Sequence, residues 1–229
     1  MKVTLSLEKT QSKDVSIVVD ALRASATITM AFNNFKDVIP AFTPEEARKI
    51  AKEKDAILAG ERKGKKLKDF DVGNSPEKVE NLKTNKDTVV ITTSNGTRIM
   101  EAMKSTVLIG SFVNAHAVAD KALEIATSHI DLVMAGRNSE FALEDYLACG
   151  EILYWINKKL KKEDKISEYA IGSILASRNY ENIKKSIPNT RSGVVLTKLN
   201  HEDDITYCMQ KNITNNVVLY KNKKFKLLK

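Results

Sequence analysis

This 229-residue chain has only two cysteines, three histidines, four prolines, nine glycines and one tryptophan. Cys149 and Cys208 are too few and too isolated for a disulfide framework or a thiolate zinc site. His116, His129 and His201 share no ligand spacing, and neither H-x-x-x-H nor C-x-x-C occurs. These histidines read as surface or packing residues, and both cysteines as core. The absence of G-x-S-x-G and of G-x-x-x-x-G-K-[ST] removes a serine-nucleophile elbow and a Walker loop. No apolar run approaches the roughly 18 residues of a membrane span. Residues 1–10 include Glu8 and Lys9 and lack a signal-peptide core. A reduced, soluble, cytoplasmic protein is expected.

Aromatic residues are scarce as well, at 6%. The 37 Lys and Arg exceed the 29 Asp and Glu, for a net charge of +8, but the lysines are spread along the whole chain. A nucleic-acid binder concentrates its charge and interleaves aromatics or Arg for stacking. A solvated lysine surface fits better, and nucleic acid is not expected as a partner. With 42% hydrophobic and 29% charged residues, the composition is that of a globular chain able to bury a core.

Short apolar runs at 15–19, 38–42, 56–59, 89–93, 107–109 and 132–134 alternate with helical patterns at 24–35, 44–54, 76–82, 98–104 and 113–127. Thr43-Pro44-Glu45-Glu46 and Ser75-Pro76-Glu77 are helix starts, with a capping residue and Pro at the first helical position. This alternation predicts an α/β fold with a largely parallel or mixed sheet flanked by helices. A long helix is expected to run to residue 160, a second over 168–185, and a closing hairpin over 217–228. One domain over 1–229 is expected, with a weakly marked boundary near 162.

In open α/β sheets the ligand crevice lies beyond the carboxyl ends of the strands. Those ends carry Asp20, Glu61-Arg62, Thr92-Thr93, Gly110-Ser111 and Gly136-Arg137. Arg23, Arg62, Arg98 and Arg137 all lie at or near strand ends, in a chain with only seven Arg. Planar guanidinium forks bind phosphate, sulfonate or carboxylate oxygens in pairs. The stretch Thr93, Ser94, Asn95, Gly96, Thr97 and Arg98 reads as an anion cradle of hydroxyls and helix N–H groups. Asp20, Glu61, Asp71, Glu144 and Asp145 form an acidic set suited to a hard cation such as Mg²⁺, which takes oxygen ligands.

Six motifs occur in order: D-A-L-R-A-S from Asp20, G-E-R-K-G from Gly60, F-D-V-G-N-S-P from Phe70, T-T-S-N-G-T from Thr92, G-S-F-V-N-A from Gly110 and L-E-D from Leu143. Together they resemble the 2-phosphosulfolactate phosphatases, the ComB-like family. S-G-V-V-L from Ser192 and D-D-I-T-Y-C from Asp203 resemble its closing segment. Ala21, Ala26, Met134 and Ala142 depart from residues common in the family.

The resemblance implies a Mg²⁺-dependent phosphatase that converts 2-phospho-3-sulfolactate to sulfolactate in coenzyme M biosynthesis. It also implies a fold distinct from the haloacid dehalogenase phosphatases, and the chain has no D-x-D-x-T. Asp20, Arg23 and Glu61 are the expected catalytic residues. Mg²⁺ would be held by Asp20 with Asp71, Glu144 or Asp145. Arg62, Thr93, Asn95, Gly96, Thr97, Arg98, Asn114 and Arg137 would bind the phosphorylated, sulfonated hydroxyacid. A homodimer is compatible with the sequence. The alternatives are a phosphatase for another 2-phospho-hydroxyacid and a non-catalytic anion-binding module.

Overall fold

A computed structural model describes residues 1–93 and 96–228, with the backbone alone at residues 96–98. In chain order the elements are β1 (Lys2–Leu7), β2 (Val15–Val19), α1 (Ala24–Ala31), β3 (Asp37–Pro40), α2 (Pro44–Lys54), β4 (Ile57–Arg62) and β5 (Lys65–Lys66). There follow α3 (Pro76–Glu80), β6 (Thr88–Thr92), α4 (Gly96–Glu101), β7 (Thr106–Gly110), α5 (Ala115–Ile125), β8 (His129–Met134) and α6 (Leu143–Asn157). The last part holds β9 (Lys165–Ile166), α7 (Glu168–Ala176), α8 (Tyr180–Ser186), α9 (Arg191–Lys198), α10 (Glu202–Cys208) and the hairpin β10 (Val217–Lys221) and β11 (Lys224–Leu228).

The helix starts follow from local chemistry. Thr43 Oγ1 accepts the Glu46 N–H at 3.1 Å, while the Glu46 carboxylate accepts the Phe42 N–H at 2.7 Å. Ser75 caps α3 in the same way, and both helices have Pro at the start. The helix expected over 168–185 is two helices. Ser177 turns its hydroxyl onto the Ile174 carbonyl, and Asn179 caps a new helix by accepting the Asn182 N–H.

The strands form one mixed sheet in the order β5-β4-β6-β3-β11-β10-β7-β2-β8-β1-β9 among the described residues. β1 was not among the expected strands, although K-V-T-L-S-L alternates as a strand should. Val3 and Leu5 enter the core, while Thr4 and Ser6 donate to the buried Asp131 carboxylate on neighbouring β8. Thr10 and the Gln11 N–H supply the other Asp131 oxygen, so this buried acid is well satisfied and structural.

The closing hairpin lies in the middle of the sheet. β11 pairs antiparallel with β3, and β10 pairs antiparallel with β7. Consequently the parallel block β4-β6-β3 runs opposite to the parallel block β7-β2-β8-β1. On a flat sheet their carboxyl ends would lie on opposite edges. Six strand-to-strand steps separate β2 from β4, and at roughly 20–25° each the twist accumulates to about 120–150°. That rotation brings the carboxyl ends of both blocks to one side.

The sheet wraps around α1. All eight α1 residues are buried, which is the pattern of a helix surrounded on every side. Ala24, Ile28 and Ala31 share one cluster with Val18, Val38, Ala59, Ile91, Ile109, Val218 and Phe225, drawn from seven strands. On the other face α5 and α6 cover Ile17, Leu108 and Leu132, and α2 covers Val90. No helix among the described residues is long and apolar enough to cross a membrane.

Candidate active site

Where the two blocks meet, a cavity of about 410 Å³ opens between the ends of β2, β4, β6 and β8 and the side of α9. Its wall includes Asp20, Arg23, Glu61, Lys63, Gly64, Asn74, Thr93 and Arg137, with Leu22, Val195 and Leu196 as apolar lining.

Asp20 follows β2 in a turn closed by its own motif. The Asp20 N–H donates to Ser25 Oγ at 2.9 Å, and its carboxylate accepts the Ala24 N–H at 3.4 Å. Burial, reinforced by the charges of Glu61 and Glu144, pushes its pKa up to about 7 against the opposing pull of the Ala24 N–H and Arg23. Glu61 is the next-to-last residue of β4 and accepts the Gly64 N–H at 2.7 Å. This tightens the β4–β5 turn, where Lys63 and Gly64 both take positive φ.

Arg137 enters from a turn of similar build. Asn138 and Ser139 take positive φ, and Arg137 and Glu140 exchange backbone hydrogen bonds at 2.9 and 3.1 Å. An ion pair of Glu140 with Arg191, which also donates to the Phe141 carbonyl at 2.7 Å, ties the turn to α9. The Arg137 guanidinium has no ion-pair partner among the described residues. It is shared with an adjoining groove of about 610 Å³ that Glu144 also lines.

Two further groups point to a ligand. Thr93 Oγ1 and Asn74 Oδ1 are buried and have no hydrogen-bond partner among the described residues. Both residues line the cavity. A buried polar atom without a partner costs about 1–3 kcal/mol, so two such atoms in one cavity fit a site that receives a polar ligand.

Asp145 serves the site from behind. One oxygen accepts the Ala21 N–H at 2.8 Å and the other the Gly136 N–H at 3.0 Å. Gly136 has φ 65°, and a Cβ there would come within 2.7 Å of the Glu140 carbonyl oxygen. Burial, with the charges of Asp20 and Glu144, raises the Asp145 pKa well above the carboxylate range.

Thus Asp20, Arg23, Glu61, Thr93 and Arg137 meet as expected from the sequence, with Glu144 and Asp145 adjacent. Three expected site residues lie elsewhere. Asp71 is exposed, and its carboxylate accepts the Leu58 N–H at 2.8 Å, pinning its loop beside β4. Arg62 donates to the carbonyls of Glu61 and Phe42 and to Thr92 Oγ1, at 2.6, 3.2 and 2.9 Å. It anchors strand ends and does not line the cavity. Asn114 is fully buried, bonded to the Ser111 N–H and to the carbonyls of Ile109 and Asn216. Asn95 lies outside the described residues, as do the side chains of Thr97 and Arg98; Gly96 begins α4.

Sequence reasoning missed Asn74, three residues after Asp71 in the same motif. A charge-based search passes over a neutral amide. It also missed α9, whose Ser192, Val195 and Leu196 close the cavity; only the S-G-V-V-L segment marked that region.

The donor set suits a hard divalent cation. Mg²⁺ takes one or two carboxylates and completes its shell with water and phosphate oxygens. Asp20 and Glu61 are carboxylates of the cavity wall, and Asn74 Oδ1 is an acceptor without a donor among the described residues. No cluster of three or more His, Cys, Asp or Glu converges as a metal cage among the described residues. Both Asp145 oxygens already accept backbone N–H groups, and Asp71 is exposed and does not line the cavity.

Fold and site together define an α/β protein whose cavity gathers carboxylates and arginines at the strand ends. The profile described as 2-phosphosulpholactate phosphatase matches residues 2–223. The chain is 41% identical over 228 residues to the 2-phosphosulfolactate phosphatase of Methanothermobacter thermautotrophicus, covering 100% of this chain and 96% of the relative. It is 37% identical over 221 residues to a probable 2-phosphosulfolactate phosphatase of Clostridium acetobutylicum, covering 94% and 92%. The chain belongs to the 2-phosphosulpholactate phosphatase family, and is a phosphoric monoester hydrolase.

Proposed function

We propose that this chain hydrolyses 2-phospho-3-sulfolactate to sulfolactate and inorganic phosphate with Mg²⁺, and that the product serves coenzyme M biosynthesis. The observation that carries the reading is the pairing of crowded Asp20 with Thr93 Oγ1 and Asn74 Oδ1, both without a partner among the described residues, in one cavity. The names of the relatives support the substrate.

Asp20 and Glu61 are the carboxylates to hold the metal, with Asn74 Oδ1 as a neutral oxygen lining the same cavity. Mg²⁺, when bound, withdraws charge from the phosphoryl group and lowers the barrier to attack by water. The Thr93 hydroxyl donates to a non-bridging oxygen, and Arg23 neutralises charge that spreads over the phosphoryl oxygens in a loose transition state. Arg137, without a carboxylate partner among the described residues, holds the sulfonate or carboxylate of the substrate. Asp145 keeps the backbone at Ala21 and Gly136 in place, which fixes the loops carrying Asp20 and Arg137.

The test is phosphate release from 2-phosphosulfolactate with Mg²⁺ and with excess EDTA, beside phospholactate and phosphoglycerate. Release from 2-phosphosulfolactate that EDTA abolishes is expected. Equal rates on all three compounds would replace the substrate assignment, and release indifferent to EDTA would remove the metal.

A further inference from the structure

We propose that Asp204 of α10 is a positioning residue for the phosphate end of the cavity, acting through Arg23; the proposal rests on the phosphatase reading above. Arg23 and Asp204 are each 3% exposed and form an ion pair between Nη1 and Oδ2. Ser75 donates its hydroxyl to the other Asp204 oxygen. Arg23 Nη2 donates to the Gly64 carbonyl at 3.1 Å. One carboxylate from the C-terminal helices therefore joins the turn after β2 to the α3 cap next to Asn74. Through Arg23 it also reaches the β4–β5 turn.

Arg23, Gly64 and Asn74 line the cavity, whereas Asp204 stands behind its wall. A guanidinium is planar and carries five N–H donors. The contacts to Asp204 and Gly64 engage both Nη atoms and fix the plane. The remaining donors are left for an anion. A buried ion pair is a weak source of stability, because desolvation of both charges offsets their attraction. Orientation of a cation in the cavity wall is a use that stability does not explain. A donor held in advance gives its full effect in the transition state, and a misplacement of about 1 Å can lower the rate about 100-fold.

The test combines calorimetric binding of inorganic phosphate with turnover in a double-mutant cycle of D204N and R23A. D204N should bind phosphate about tenfold more weakly and raise KM for 2-phosphosulfolactate, beyond any loss of folded fraction. In the R23A background the same substitution should change the phosphate affinity less than about twofold. Unchanged phosphate affinity in folded D204N would overturn the proposal, as would equal losses in both backgrounds. If D204N does not fold, S75A takes its place: weaker phosphate binding that vanishes in the R23A background is expected, and unchanged affinity overturns the idea. Wild-type protein that binds no phosphate also overturns it. Because phosphate binding needs no turnover, an error in the substrate assignment leaves this test intact.

Discussion

Asp145 Oδ1 accepts the backbone N–H of Ala21 at 2.8 Å, so an acid in the first turn of α6 fixes the residue that follows Asp20. Its second oxygen does the same for Gly136. D145A leaves both buried N–H groups without a partner, at roughly 1–3 kcal/mol each. Relief of repulsion from Asp20 and Glu144 offsets part of that loss. Urea unfolding should show a net destabilisation, and turnover should fall with it. Unaltered stability in D145A would mean that water replaces the carboxylate at both positions.

Asp20 should make stability depend on pH. Burial and the charges of Glu61 and Glu144 raise its pKa from 3.8 to about 7, so the folded protein holds a proton there that the unfolded chain releases. Its contribution to stability is complete below pH 3.8 and is lost as pH rises through about 7. D20N should abolish turnover, keep the fold and remove this pH dependence. Millimolar Mg²⁺ should raise the Tm of the wild type near pH 7 and leave that of D20N unmoved. An equal rise in both proteins would place the ion elsewhere.

T93V should separate stability from activity. Thr93 Oγ1 is buried without a partner among the described residues, so removing it relieves an unsatisfied group. A gain of about 1 kcal/mol in the ligand-free protein is expected, together with a 10–100-fold loss in kcat/KM. Loss of both stability and activity would show that the hydroxyl has a structural partner.

Two arginines from neighbouring motifs should give contrasting results. Arg137 lacks an ion-pair partner among the described residues, and R137A should leave stability within about 0.5 kcal/mol. It should raise KM about tenfold or more for a substrate bearing a second anionic group. R62A removes the bonds to Phe42, Glu61 and Thr92, so it should lower the Tm first. The reverse pattern, read by thermal unfolding and steady-state kinetics, would exchange the two roles.

Asp14 defines the acid limit of the fold. Burial acts to raise its pKa, but the backbone N–H groups of His129, Ser128 and Thr127 outweigh it and bring the value from 3.8 to about 2. Its stabilisation is therefore present above about pH 4 and disappears as pH falls towards 2. Urea titrations of wild type and D14N at several pH values should differ above pH 4 and converge near pH 2. A constant difference across that range would show that the carboxylate charge is immaterial.

The chain's local patterns determined the alternation of strands and helices, the starts of α2 and α3, and the acids and arginines placed at strand ends. Hydrophobic periodicity and capping are short-range physics, so they are written in adjacent residues. The six ordered motifs also carried family membership, because each holds turn chemistry at a fixed spacing, as in the Asp20–Ser25 and Glu61–Gly64 hydrogen bonds. Tertiary structure decided which strand ends meet. The β10–β11 hairpin entering between β3 and β7 reverses one parallel block, and accumulated twist brings its ends back beside Asp20. It also divided chemically similar residues by what surrounds them. Arg62 and Arg137 both lie at or near strand ends, yet carbonyl and hydroxyl oxygens engage Arg62 while Arg137 lines the cavity. Asp71 and Asn74 share one loop, but the acid secures a backbone N–H and the amide lines the cavity. Burial and the choice of partner depend on residues far apart in the chain, and those are set when the sheet closes around α1.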